Sequence, residues 1–201
     1  GRLVIVDVSL DRQTDDPQLV FESLNSTGVD LSQSDLIRNF ILMKLPEADQ
    51  TRLYNNYWSK VEAVFRGSES AFDAFARDCI ALKTKAHKQE RADAIYFAFR
   101  ALWDELKTSA GSFEAALEDI LRFAGYHAAF SLGRYKSGPI LDGLNNLRKL
   151  VDVLAILIMR LLDCHERLGS LTESQFVDSL RYLESYVLRR AVCRGQTRSY
   201  W

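Results

Sequence analysis

The residues with the most potential for chemistry lie in one stretch, "VFESLNSTGVDLSQSDLIRNFILM" from Val20 to Met43, where Asn25, Gly28, Asp35, Arg38 and Asn39 stand among apolar runs. Asn25 and Gly28 suit a turn whose main-chain groups face a ligand. Arg38 follows soon after a helix start, so its guanidinium fork and the amides of the first turn can share one anion, phosphate first among them. The same residue types also serve a purely structural joint. Asn25 and Asn39 would then hydrogen-bond the joint internally, and Arg38 would pair with Asp35 at helical spacing.

A second concentration lies at the far end. "LESYVLRRAVCRGQTRSYW" carries Arg189, Arg190, Arg194 and Arg198 against the single Glu184, interleaved with Tyr186, Tyr200 and Trp201. Arginines among aromatics hold a phosphate backbone and stack on bases. Equally, cations suit the carboxyl end of a helix, or pair with acids of a neighbouring helix. His87, His127 and His165 fall in separate segments without the spacing of a metal centre. There is neither a Gly-rich phosphate loop nor a nucleophile elbow. Asp15 with Asp16, and Glu114 with Glu118, sit where helix starts and solvated faces use acids. No catalytic residue and no metal ligand is assigned.

These residues must be positioned by helices. The chain has 201 residues, 47% of them hydrophobic, enough for a sizeable core. Its 26 basic and 27 acidic residues nearly cancel, so nucleic acid or a membrane surface must be met by a local patch. Cys79, Cys164 and Cys193 are odd in number and widely spaced, which fits free thiols and a reducing, cytoplasmic compartment. The apolar run "VLAILIM" is far short of the about 20 residues a membrane span needs. Gly1 in place of Met, and the unpunctuated end "TRSYW", read as part of a longer protein.

"RLVIVDVSL" is rich in β-branched residues and reads as one strand without an evident partner. Helices follow. Asp15, Asp16 and Pro17 start one, Gly28 stops it, and Ser32 with Asp35 caps the next, with Leu31 stapled to Leu36. Beyond Pro46, the residues Leu53, Tyr57, Val61, Val64 and Phe65 keep helical spacing. Amphipathic segments cover Ala71 to Leu82, Arg91 to Leu106 and Phe113 to Phe130, the last with a stripe of Phe113, Ala116, Leu117, Ile120, Leu121 and Ala124. "SLGRYKSGPI" is a loop. A long helix from about Ile140 to His165 is expected at the centre. A last helix, about Glu173 to Cys193, turns Phe176, Leu180, Leu183, Val187 and Ala191 inward. The fold class is mainly α: a helical bundle with one short amino-terminal β-strand.

Two of these places resemble one family. "VFESLNSTGVDLSQSDLIRNFIL" is similar to the Phe-Glu-x-Leu-Asn-x-x-Gly-x-x-Leu-x-x-x-Asp-Leu-x-Arg-Asn signature of the GmrSD-like proteins, and "LESYVLRRAVC" resembles the segment that in them precedes a carboxy-terminal nuclease domain. The resemblance implies a prokaryotic, modification-dependent (type IV) restriction enzyme or related phage-defence protein. Its amino-terminal ParB-like domain is tied to nucleotide binding or hydrolysis, and an HNH-type domain cuts DNA. Residues 1–45 would be the tail of the first, and 46–201 a helical bundle leading to the second. Asn25, Gly28, Asp35, Arg38 and Asn39 would border the nucleotide-sensing part. A nucleoside triphosphate, a divalent metal and DNA, including modified DNA, would be partners of the intact protein. The family's Asp-Gly-Gln-Gln-Arg motif and its HNH motif are absent from these 201 residues. Two other readings compete: a helical interaction module that docks a partner or forms a homodimer through the unpaired strand, and direct DNA binding by the arginine-rich end.

Overall fold

The computed structural model describes residues 31–43, 45–84, 91 and 94–193. The expected strand, the helix expected between Asp15 and Gly28, and Asn25, His87, Arg194 and Arg198 lie outside the described residues. Within them the protein is mainly α-helical.

Local chemistry starts the helices. In α1 (Gln33–Met43), Ser32 is the cap: the Asp35 amide donates to Ser32 Oγ at 3.2 Å and the Ser32 hydroxyl donates to Asp35 Oδ2 at 2.7 Å. After Pro46 come α2 (Glu47–Leu53), a π-helical turn (Tyr54–Trp58) and α3 (Ser59–Val64), stacked end to end. Next are α4 (Glu69–Thr84) and α5 (Ile95–Ala110), the latter closed by Gly111 at φ 80°, a conformation glycine adopts without strain. Helix α6 (Phe113–Ser131) begins at Ser112, whose Oγ accepts from the Ala115 amide at 3.1 Å. Helices α7 (Pro139–Arg148), α8 (Ala155–Glu166) and α9 (Glu173–Val192) complete the order, with Thr172 and Gln175 forming a reciprocal cap on α9.

Helix α6 is the centre. It packs against α3, the π-turn, α4, α5, α7 and α8, and from Phe123 to Phe130 all but one of its residues are buried. Ile37, Phe40 and Ile41 of α1 join the same core, at the i, i+3, i+4 spacing of one helix face. Gln33 adds a polar tie, its Oε1 accepting from the Tyr96 amide at the start of α5 at 2.9 Å.

Two expectations are corrected. The span from Ile140 to His165 is not one central helix: it ends at Arg148 and restarts at Ala155, whose amide bonds the Asp152 carbonyl at 3.2 Å. A continuous helix there would run roughly 39 Å, and the break instead lets α7 lie on α9 while α8 lies on α6. At the other end, Ala191, expected inward, is exposed at the last turn of α9, while Phe176, Leu180 and Val187 are buried. The α7–α9 contact depends on Gly143, where a Cβ would stand 2.8 Å from Leu180 Cδ1 and 3.3 Å from its Cβ.

Three polar side chains are sealed in this core: Asp78, His127 and Asp163. His127 Nε2 lies 3.2 Å from Asp78 Oδ2, and Nδ1 lies 3.1 Å from Ser131 Oγ. The Ser131 hydroxyl also donates to the His127 carbonyl at 2.8 Å. Phe65 and Phe75 pack against the imidazole. Buried to this degree, the Ser–His–Asp sequence is a satisfied core network. Among the described residues no helix is long and apolar enough to cross a membrane.

Candidate functional site

Arg38 projects from the second turn of α1 and meets two carboxylates. Its Nη2 lies 2.9 Å from Asp35 Oδ1, and its Nη1 donates to Glu62 Oε1 at 3.1 Å. Asn39 Oδ1 is 3.5 Å from Arg38 Nε, at the outer limit of a hydrogen bond. The pairing of Arg38 with Asp35 is therefore present, and Glu62 is an addition. One guanidinium between two carboxylates leaves the cluster net negative. An anion reaching Arg38 has to displace one of them.

Glu62 is placed by the π-turn. Three donors converge on it: Arg38, the Trp58 indole N–H at 3.0 Å on Oε1, and the Tyr54 hydroxyl at 3.0 Å on Oε2. The hydrogen bond to Glu62 is the main cause that raises the Tyr54 phenol above its ordinary pKa, since ionisation would set two negative charges together. The widened turn also sets the core register. Leu53 and Trp58, five residues apart, are both buried, whereas Tyr57, expected inward on a regular helix, is only half-buried. A cleft of about 680 Å³ opens beside the cluster, lined by Ser32, Asp35, Arg38, Glu62, Arg66 and Ser68 among others. Asn25 and Gly28 lie outside the described residues.

Of the carboxyl-terminal candidates, Arg189 and Arg190 sit elsewhere, on α9, which packs on α7 and α8. Arg189 and Arg190 occupy its last turn, and Arg190 Nη1 donates to the Tyr186 hydroxyl at 3.0 Å. Around them Tyr182, Tyr186, Leu188 and Val192 are exposed.

A third charged centre escaped the sequence reading. Asp163 in α8 is sealed, yet its Oδ1 accepts from Arg167 Nε at 2.7 Å and its Oδ2 from Arg167 Nη2 at 2.9 Å and Arg160 Nη1 at 3.2 Å. The hydrogen bonds from Arg167 hold the Asp163 carboxyl below its usual range, outweighing the opposing effect of burial. Arg122 of α6 approaches as well. Its Nε is 3.4 Å from Asp163 Oδ1, near enough for attraction but out of line for a hydrogen bond, so that buried N–H lacks an acceptor. Arg160, Asp163 and Arg167 share one helix face, a spacing visible in the sequence; Arg122, 41 positions before Asp163, is not tied to them by any local pattern.

Among the described residues no three His, Cys, Asp or Glu side chains group closely enough to hold a metal ion. The three cysteines are free thiols, with Cys79 buried and its thiol pushed up to about 12 by desolvation. No protein-family model, no curated protein and no solved structure matches this chain.

Proposed function

We propose that this helical body is a scaffold and relay in a nucleotide-linked, modification-dependent DNA endonuclease or phage-defence protein of the prokaryotic cytoplasm. It would transmit the state of a ligand surface near Asp35, Arg38 and Asn39 to a nuclease part. The observation that supports this reading is the Arg38 bridge. It joins α1 to α3 through Glu62 beside an open cleft, so a ligand that draws Arg38 away from Glu62 loosens the tie between two helices of the core. The described residues offer neither a metal cluster nor, at Arg38, a cation without opposing carboxylates. In this proposal nucleoside triphosphate and divalent metal act in the intact protein, Asp35, Arg38 and Asn39 border its nucleotide-sensing part, and DNA is cut by its nuclease part.

The test is Arg38→Ala in the intact protein. The expected result is loss of nucleotide control over DNA cleavage with the helical content retained. A nucleotide response equal to that of the unaltered protein sinks the relay.

A second reading, a helical interaction or dimerisation module without catalysis, draws support from the exposed Tyr182, Tyr186, Leu188 and Val192 on α9. Light scattering with Tyr182→Ser and Val192→Ser tests it. An oligomer that these changes dissolve favours the module, and a monomer at all concentrations removes self-association.

A further inference from the structure

Between α6, the loop at 132–138 and the end of α8 lies a groove of about 820 Å³. Its floor is the main chain of α6 at Gly125. Glycine inside a helix weakens it relative to alanine, and two kinds of reason justify one: a neighbour that needs the space, or space that must stay open. Gly143 is the first kind, since Leu180 would collide with its Cβ. Gly125 is the second kind. Nothing lies within 4 Å of the place its Cβ would take.

A second, independent observation points into the same groove. Tyr126 is only 8% exposed and lines the groove, yet its hydroxyl makes no hydrogen bond among the described residues. That oxygen is not sealed within the protein, so it remains open to a partner from outside. Burial pushes its pKa up to about 12, so the group facing the groove is a neutral phenol able to donate. Tyr135 lines the groove as well, its hydroxyl donating to Glu166.

Charge completes the description. Arg122, Arg134, Lys136 and Arg167 line the groove against Glu118 and Glu166. Arg122 and Arg167 are engaged with Asp119 and Asp163, and Lys136 with Glu166 at 3.2 Å. Arg134 instead donates to the Val64 carbonyl, a neutral acceptor that leaves its positive charge uncompensated by any carboxylate among the described residues.

We infer that this groove binds a small anion built on a planar ring. The ring lies on the open main chain at Gly125 beside Tyr126 and Tyr135, a polar ring substituent takes the Tyr126 hydroxyl, and the anionic group faces Arg134 and Lys136. Aromatic carboxylates and nucleoside monophosphates share this chemistry. The inference is independent of the relay reading, because none of its residues belongs to the Arg38 cluster.

The experiment titrates the 201-residue chain, by calorimetry, with 4-hydroxybenzoate and separately with adenosine monophosphate, each beside its uncharged counterpart, 4-hydroxybenzamide or adenosine. Saturable binding of a charged probe, with its neutral counterpart at least tenfold weaker, is expected; the probe that binds identifies carboxylate or phosphate as the source. Gly125→Leu should abolish binding while the melting temperature stays level or rises, because the side chain enters open space on a helix that favours leucine. Tyr126→Phe, which keeps the ring and its packing, should weaken binding about tenfold. Failure of both charged probes to bind at millimolar concentration overturns the proposal. So does binding that both variants leave unchanged.

Discussion

Asp163 and Glu62 are two carboxylates that each gather several donors, and they do opposite jobs. Around Asp163 the two tightest partners, Arg160 and Arg167, sit on its own helix, three residues before and four after it, and the carboxylate is sealed. Among the described residues only Arg122 reaches it from another element, and that contact is the poorly aligned one. Glu62 keeps 28% of its side chain exposed, and its Arg38 comes from a helix 24 positions away. Asp163 therefore anchors the end of one helix over α6, while Glu62 couples elements that could move apart. A sealed local cluster resists change, and a half-open bridge between elements is where a ligand can act.

Asp163→Ala would make the largest difference between the two centres. It removes the sealed acceptor of Arg167 and Arg160 and leaves Arg122 only its pair with Asp119, and with Arg160 and Arg167 already half in water the expected loss is about 2 kcal/mol. Urea unfolding measures it. A loss under 1 kcal/mol would show that Arg160 and Arg167 simply turn to solvent and that the cluster is no anchor. The pH dependence follows the same group. Because the folded carboxyl is held below its ordinary 3.8, the folded state binds its proton less readily than the unfolded chain does. Its contribution is complete above the unfolded value and is lost as pH falls through the lower, folded one. The stability gap between the unaltered chain and Asp163→Asn should accordingly hold at neutral pH and close in strong acid.

Glu62→Ala comes next. It removes the acceptor for Trp58, Tyr54 and Arg38 together, and with part of the site open to water the expected loss is about 2 kcal/mol. Glu62→Gln should recover some of it, since an amide oxygen still accepts from one donor. Equal losses for the two variants would mean that packing, and not the converging donors, holds the π-turn. That outcome would remove the bridge as a device.

What could be read in advance divides along the same line as these two carboxylates. The Ser32 cap, the α6 stripe and the pairing of Arg38 with Asp35 are written in residues three or four apart, where helical geometry alone brings side chains together. Glu62 was invisible because its partner on α1 is joined to it only by the fold. Trp58 was missed because the π-turn adds a residue that a regular spacing does not contain. The break between α7 and α8 carries neither glycine nor proline, and its valines and leucines continue the apolar run on both sides, so only tertiary packing marks it. Gly125 gave a faint signal, a glycine within a helical stripe, but open space beside it is a property of three dimensions.

The smallest effect sharpens the comparison most. A double-mutant cycle between Arg38→Ala and Glu62→Ala isolates the bridge from the other two donors on Glu62. Its coupling should come out at about 1 kcal/mol, the upper end for partly exposed pairs. The same cycle between Arg160→Ala and Asp163→Ala isolates the outermost contact of the sealed centre, where Arg160 is 55% exposed and the pair is a single turn of one helix. There the coupling should be about 0.3 kcal/mol. Raising the salt should reduce the small Arg160 term first, because its cation already lies in water. Should the Arg38 cycle give the smaller value, the cross-helix tie would be too weak for a ligand to exploit, and the exposed end of α9 would become the better place to look for what this protein engages.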